Sequence, residues 1–348
     1  MDSPVPVRLT THADVVAAAT DPTTFSSHTS VHLHVPNGMD GEEHRTFRTL
    51  VDSYMTSDVV AGLEPRLAEI ARQVVRDMPR GETVDVIAAL GEPFAVHAQC
   101  DWLGWPAEFE PRLSAWMERN YTAAHARDAD LNAEVAADFD QIVRDAIASA
   151  APGSVTARLA AEHVNGRPLT TEEAVSILRN WTAGDLGSIA RCIGVIVWRL
   201  ASTPPLQQRV RMLTGPEHRA ELDAILLECL RIEDPFVANR RRATCPVTLP
   251  SGAAANTGDI VMLDWTAANR DPEVFADTFD PHAHLPHNLV FGIGPHGCPG
   301  FELSMAELRA SVLALTAGTQ AVEPAGDAAP VPHEAPLGGW RVVPVVLS

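Results

Sequence analysis

The 348-residue chain carries a net charge of −19, and every one of its 26 basic residues is arginine. Such a balance works against nucleic acid and anionic membranes as partners, and no apolar run approaches the roughly 20 residues that a membrane span requires. Five scattered cysteines without metal-ligand spacing, and a start (Met1–Thr10) without a basic segment followed by an apolar one, point to free thiols and a cytoplasmic location.

Val7–Leu9 reads as a short strand and Ala13–Ala19 as a helical turn. Glu42–Met55 is helical by pattern, since Phe47, Leu50, Val51 and Tyr54 fall on one face. Val59–Arg76 and Val86–Trp102 follow as helices, the second stopped by the glycine and proline of Leu103-Gly104-Trp105-Pro106. Pro111–Ala124 and Ala133–Ala148 flank a polar turn near Asp128–Asp130. Thr170–Ser202 is the longest helical segment, opened by a cap at Thr170-Thr171-Glu172-Glu173, and Glu217–Ile232 is another. Then the texture changes: Val247–Leu249 and Ile260–Asp264 read as short strands between Pro and Gly. Ala306–Leu315 is helical, Ala325–Pro336 is loop, and Trp340–Leu347 closes as a strand. The expected class is mainly α with small β-sheets.

The segment Phe291-Gly292-Ile293-Gly294-Pro295-His296-Gly297-Cys298-Pro299-Gly300 sets one cysteine in a glycine-rich loop, just ahead of a helix starting near Phe301. A thiolate at Cys298 would meet the positive end of that helix, which lowers a cysteine pKa. The glycines admit something flat and bulky, Phe291 can pack beneath it, and His296 offers a nitrogen to an anion at its edge. Haem iron held by one thiolate satisfies these features; a buried structural cysteine in a turn is the plainer alternative.

The pattern F-x-x-G-x-H-x-C-x-G resembles the ligand signature of the cytochrome P-450 family, and other segments stand in the family's order. Glu228-Cys229-Leu230-Arg231 is similar to its E-x-x-R helix, whose buried ion pair braces the cysteine loop; alone, it would read as a surface pair. His44 and Arg48 match its H-x-x-x-R segment, where residues i and i+4 point the same way and would bind haem propionates. In Asn239-Arg240-Arg241-Arg242-Ala243, Arg241 matches a further propionate donor by spacing, with Arg240 or Arg242 open. His296 is the fourth donor. Trp265–Phe275 contains a stretch similar to the family's A-N-R-D-P segment. The resemblance implies a triangular, helix-rich single domain over 1–348, with a helix-rich part at about 40–235 and a β-containing, haem-ligand part at about 236–348. Haem b would lie between the long central helix and the cysteine-loop helix, ligated by Cys298 with Phe291 and Gly300 beside it.

The chain also departs from the family. In Thr182-Ala183-Gly184-Asp185-Leu186-Gly187-Ser188, the usual acid and alcohol positions fall on Leu186 and Gly187. Asp185 and Ser188, three apart on a helix, could share a face and serve as the proton-delivering pair beside Gly184 if a local π-type distortion presents them. Alternatively Asp185 faces solvent or a distant arginine, and Ser188 bonds back to its helix. Pro299 removes one amide that could donate to the sulfur, which predicts a lower reduction potential than a Pro299→Leu variant. Ala283 stands where the family has an arginine completing the E-x-x-R network, with His282 and His284 as stand-ins, and Asn288 replaces a propionate-binding histidine. The segment usually preceding Pro6–Ser27 is missing, which would leave an access channel more open or covered by another subunit.

The implied activity is a haem-thiolate monooxygenase that inserts one oxygen atom from O2 into a small apolar organic substrate. Its electrons would come from NAD(P)H through a ferredoxin reductase and a ferredoxin. Ala183, Leu186, Phe236, Val237 and Leu337 (with Pro336) are the expected substrate pocket, and His32 and His34 are substrate contacts or solvated loop. A peroxide-using or rearranging enzyme, and a non-catalytic haem-binding ligand sensor, are the alternatives.

Overall fold

The computed structural model describes residues 6–30, 32–126 and 128–348. Helices dominate, and their starts follow the capping residues. Thr11 and Thr56 accept from Asp14 N and Val59 N at the heads of His12–Thr20 and Ser57–Asp77. Thr170 and Glu173 form a reciprocal capping box on the long helix Thr171–Ala201. At the other end of a helix, Gly104 closes Glu92–Leu103 in the left-handed conformation (φ 74°), as the Gly-Trp-Pro stop predicted.

The expected helices at 42–55, 59–76, 111–124, 133–148 and 217–232 appear as Gly41–Ser53, Ser57–Asp77, Glu110–Ala126, Ala129–Ala148 and Arg219–Ile232. The cysteine-loop helix is longer than its periodicity suggested, Phe301–Gly318. Val86–Trp102 is helical as expected, but its start, Ile87–Gly91, is a π turn that runs directly into the α-helix Glu92–Leu103. It lies where the chain passes close to the long helix, and a Cβ on Gly91 would come within 2.8 Å of the Ala190 carbonyl oxygen. Helices Val155–Ala160 and Pro204–Met212 lie outside the expected elements; the second begins on two prolines, which suit a first helical turn.

Four strands form the main sheet, in the order Val7–Leu9, Ile260–Asp264, Ala238–Ala243, Phe25–Ser26, with only the first pair parallel. The arginine triplet belongs to its third strand. Successive side chains on a strand point to opposite faces, so Arg241 turns inward and is 7% exposed, while Arg240 and Arg242 face solvent. The terminal strand divides in two. Trp340–Val342 pairs with Val331–Pro332, inside the expected loop, and Pro344–Leu347 pairs with Thr83–Asp85 and Val322–Pro324.

A large apolar core joins the long helix to its neighbours, and a smaller one lies between the main sheet and His12–Thr20. Between them is a cavity walled by Ile189 and Leu303 of the first core and Trp265 of the second. Among the described residues no single helix is long and apolar enough to cross a membrane.

Candidate active site

The cavity has a volume of about 350 Å³ and is bounded by the long helix, the main sheet and the cysteine loop. Cys298 stands at its floor with its sulfur exposed into it. The loop is held by Cys298 N donating to the Phe291 carbonyl at 2.8 Å, and by Arg48, whose Nη1 donates to the carbonyls of Pro295 (2.9 Å) and Gly297 (2.7 Å). Gly294 is required where it is: its φ is +76°, and a Cβ would meet the Ala19 carbonyl oxygen at 2.6 Å. Phe291 lines the floor and packs edge-to-face on Phe301, with centroids 5.1 Å apart. Gly300 lines it beside the sulfur.

The ionisation of Cys298 differs from the expectation. Cys298 is open to the cavity but lies deep inside the protein, and that enclosure pushes its thiol up to about 11; the Gly300 backbone N–H offsets only part of this. Binding to a metal removes the proton from such a thiol.

Of the four expected propionate donors, Arg241 and His296 line the cavity. Arg241 gives Nη1 to its neighbour's carbonyl, Arg240 O, at 2.9 Å. His296 bonds Ser27 Oγ at 3.0 Å and lies 3.5 Å from Asp40, and burial followed by His44 and Arg241 lowers it to about 4. His44 packs behind His296 with its ring tilted and the centroids 4.1 Å apart, and it does not line the cavity. Arg48 is committed to the loop carbonyls and to Asp52. Asn288 faces the structure, not the cavity: it donates to Leu227 O and accepts from Val290 N.

The donor set fits a haem. An exposed cysteine sulfur faces the cavity, a buried guanidinium and an imidazole form one wall, and the space above Gly184 is open, with nothing within 4 Å of a Cβ placed there.

On the opposite wall, the long helix presents Trp181, Gly184, Asp185, Ser188, Ile189 and Cys192, the single stripe that helical periodicity selects. No π distortion interrupts Thr171–Ala201, so Asp185 and Ser188 reach the cavity by ordinary helical phase. Gly187 lies off that stripe. Leu186 is 0% exposed in the core, and Ala183 is exposed but does not line the cavity. Val237 and Leu337 are half-buried outside it, and Phe236 lines it. His32 and His34 do not line it; Pro36 and Asn37 of the same segment do. Asp234 is a further lining residue that the sequence did not single out. It is 2% exposed, and burial raises it to about 8 although Phe236 N and Asn269 bond it. Its signal was adjacency, six residues after the carboxylate of E-x-x-R at the turn into the Arg241 strand.

Behind the cysteine loop, Glu228 and Arg231 form a buried two-pronged pair, Nε–Oε2 2.7 Å and Nη2–Oε1 2.8 Å. His284 is the third member, its Nδ1 2.8 Å from Glu228 Oε1. His282 turns away to Glu221, and Ala283 only gives its amide to Asp280. Arg231 also donates to the Asn269 carbonyl at 2.7 Å, and Asn269 Oδ1 accepts from Leu289 N at 2.8 Å. The E-x-x-R helix, the A-N-R-D segment and the entry to the cysteine loop are thereby tied together.

Comparison with known proteins agrees with this arrangement. Residues 217–316 match the family model described as Cytochrome P450. The chain is 27% identical over 319 residues to the cyclomarin C epoxidase of Salinispora arenicola, covering 85% of this chain and 79% of that protein. It is 28% identical over 323 residues to the erythromycin C-12 hydroxylase of Saccharopolyspora erythraea, covering 86% and 79%. The structure of a post-tailoring hydroxylase of himastatin biosynthesis superposes with a TM-score of 0.85 at 25% identity, over 98% of this chain and 90% of that one. With the cysteine loop, the buried E-x-x-R network and the long helix over one cavity, the chain belongs to the cytochrome P450 family: it is an oxidoreductase, a monooxygenase that uses haem b.

Proposed function

We propose that this enzyme hydroxylates or epoxidises a small organic molecule of secondary metabolism, with electrons passed from NAD(P)H through a ferredoxin. The observation that carries the reading is that Cys298, Ser188 and Asp185 line one cavity. The relatives named for epoxidation and hydroxylation of microbial products support the substrate class. Cys298 would be the iron ligand, Arg241 and His296 would hold propionates with His44 behind them, and Phe291 would pack under the ring. Haem bound there supplies the redox chemistry for oxygen activation. Ser188 and Asp185 orient and move protons on the opposite wall, Gly184 leaves room beside them, and the apolar wall of Trp102, Trp181, Ile189, Phe236 and Leu303 excludes water from the substrate. A single domain over 1–348 and a cytoplasmic location belong to the same reading.

The carbon-monoxide difference spectrum of the reduced protein tests ligation. The thiolate-type band should vanish in Cys298→Ser and persist in Cys100, Cys192, Cys229 and Cys245 variants; its absence in the wild type overturns the ligand assignment. One observation favours a second reading, use of peroxide: Leu186 and Gly187 stand where the family places its acid and its alcohol. Turnover with hydrogen peroxide and none with ferredoxin and NADPH would select it.

A further inference from the structure

Gly187 is not merely an absent side chain. A Cβ there would stand 2.9 Å from Arg191 Nη1, so the guanidinium of Arg191, one turn along the long helix, fills the space. Arg191 Nη2 reaches Ser188 Oγ at 3.4 Å, and Ser188 lines the cavity. Arg191 Nε is sealed from solvent without an acceptor, and among the described residues Arg191 makes no ion pair with a carboxylate. The groups around it are themselves basic. His333, from the C-terminal segment, has a buried Nδ1 without a partner, and His125 and Arg341 lie beyond it. His125 bonds the Glu334 carbonyl at 3.4 Å, and Tyr121 packs on His333 at 5.5 Å, so helix Glu110–Ala126 closes the cluster from above.

A guanidinium does not lose its proton in a protein, and an enclosed, unpaired one is costly. Burial lowers the pKa of Arg191, and burial followed by the Arg191 charge lowers His333 to about 4. The propionate donors do not share this cluster, since Arg241 and His296 belong to the main sheet and the cysteine loop. A cluster of donors without an acid, one hydroxyl away from a cavity with apolar walls, describes a site for the charged end of an organic acid.

We propose that the substrate is an apolar molecule bearing a carboxylate, which replaces Ser188 Oγ as the acceptor for Arg191 and extends its apolar body between Ile189, Trp181 and Phe236. A planar carboxylate matches the fork of a guanidinium with two parallel hydrogen bonds. Ser188, released from Arg191, is then free to turn toward the cavity. This assignment rests on reading the cavity as the substrate pocket.

The test uses decanoate and its uncharged isostere decanamide as probes, titrated into the haem-loaded protein by calorimetry at pH 7.5. Decanoate should bind at least about tenfold more tightly than decanamide, the equivalent of about 1.4 kcal/mol. Arg191→Gln should abolish that preference and leave decanamide affinity within about threefold of wild type, while Arg191→Lys should keep part of it. Equal affinities in the wild type, no binding of either probe, or a preference that survives in Arg191→Gln would each overturn the proposal. The comparison of probes on the wild type needs no variant to fold. The carbon-monoxide spectrum of the same preparation separates the two readings: a lost thiolate band with an intact decanoate preference removes the ligand assignment and spares this one.

Discussion

Asp185 on the long helix and Glu307 on the cysteine-loop helix meet carboxyl to carboxyl, enclosed by protein. Asp185 Oδ2 and Glu307 Oε2 are both buried without a hydrogen-bond partner among the described residues. Burial pushes Asp185 up to about 7, and burial together with the facing Asp185 carries Glu307 well above the carboxylate range. Two facing carboxyls without a cation hold a proton between them, so the helix that lines the cavity is joined to the helix that follows the cysteine by a titratable link.

The sign of its effect on stability follows. The folded Asp185 binds its proton more tightly than an unfolded aspartate at 3.8, so stability falls as pH rises from about 4 and the loss is complete above about 7. Asp185→Asn should remove this term and gain about 1–3 kcal/mol on wild type between pH 5 and pH 8. Melting curves at the two pH values check this; identical pH dependence in both proteins would contradict it.

Strand alternation separates three adjacent arginines. Arg241→Leu should speed haem loss to a scavenging apoprotein by about tenfold or more, the scale of one lost charge-assisted interaction. Arg240→Leu and Arg242→Leu should lose haem at the wild-type rate, because both side chains face solvent. Similar rates for all three would mean that the strand does not hold the propionate.

The Glu228 carboxylate stays below the usual range because Arg231 and His284, with the Asp280 amide, outweigh the burial that raises it. Glu228→Gln leaves the Arg231 charge buried without compensation, which costs about 3–5 kcal/mol. Urea unfolding should register the loss, with a fall in the fraction of protein that retains haem. His284→Ala should cost clearly less, because Arg231 keeps its two-pronged contact.

Gly294→Ala combines a left-handed backbone with a collision against the Ala19 carbonyl, and should destabilise by at least about 2 kcal/mol. Gly184→Ala meets open space and should leave the melting temperature within a degree or two while altering ligand binding. Equal stability losses at the two glycines would show that the loop does not press on helix His12–Thr20.

What the sequence disclosed was carried by features with short-range physics. The capped start of the long helix, the cysteine loop and the spacing of Glu228 and Arg231 all identified their structural settings. Arg241 was favoured over its neighbours by spacing, and the strand supplies the reason. Less legible were matters of phase and competition. Whether Ser188 or Gly187 faces the cavity depends on a rotation of 100° per residue, which a motif with displaced letters does not fix. The cysteine's ionisation turned on burial against helix polarity, and Arg191 gave no sign because an arginine in an apolar stretch of helix resembles any snorkelling side chain. Asp234 lay beside a recognised motif and had no motif of its own.

Gly91 touches nothing in the cavity, yet its bare backbone lets the Ala190 carbonyl approach, and Ala190 belongs to the same 31-residue helix that carries Asp185 and Ser188. A methyl group at position 91 must therefore lift that rod away from its support and change the height of the chamber without altering a single residue of its walls. Two enzymes with identical lining residues would then accept molecules of different thickness, and the cause would sit behind the helix, in a residue that no ligand ever meets.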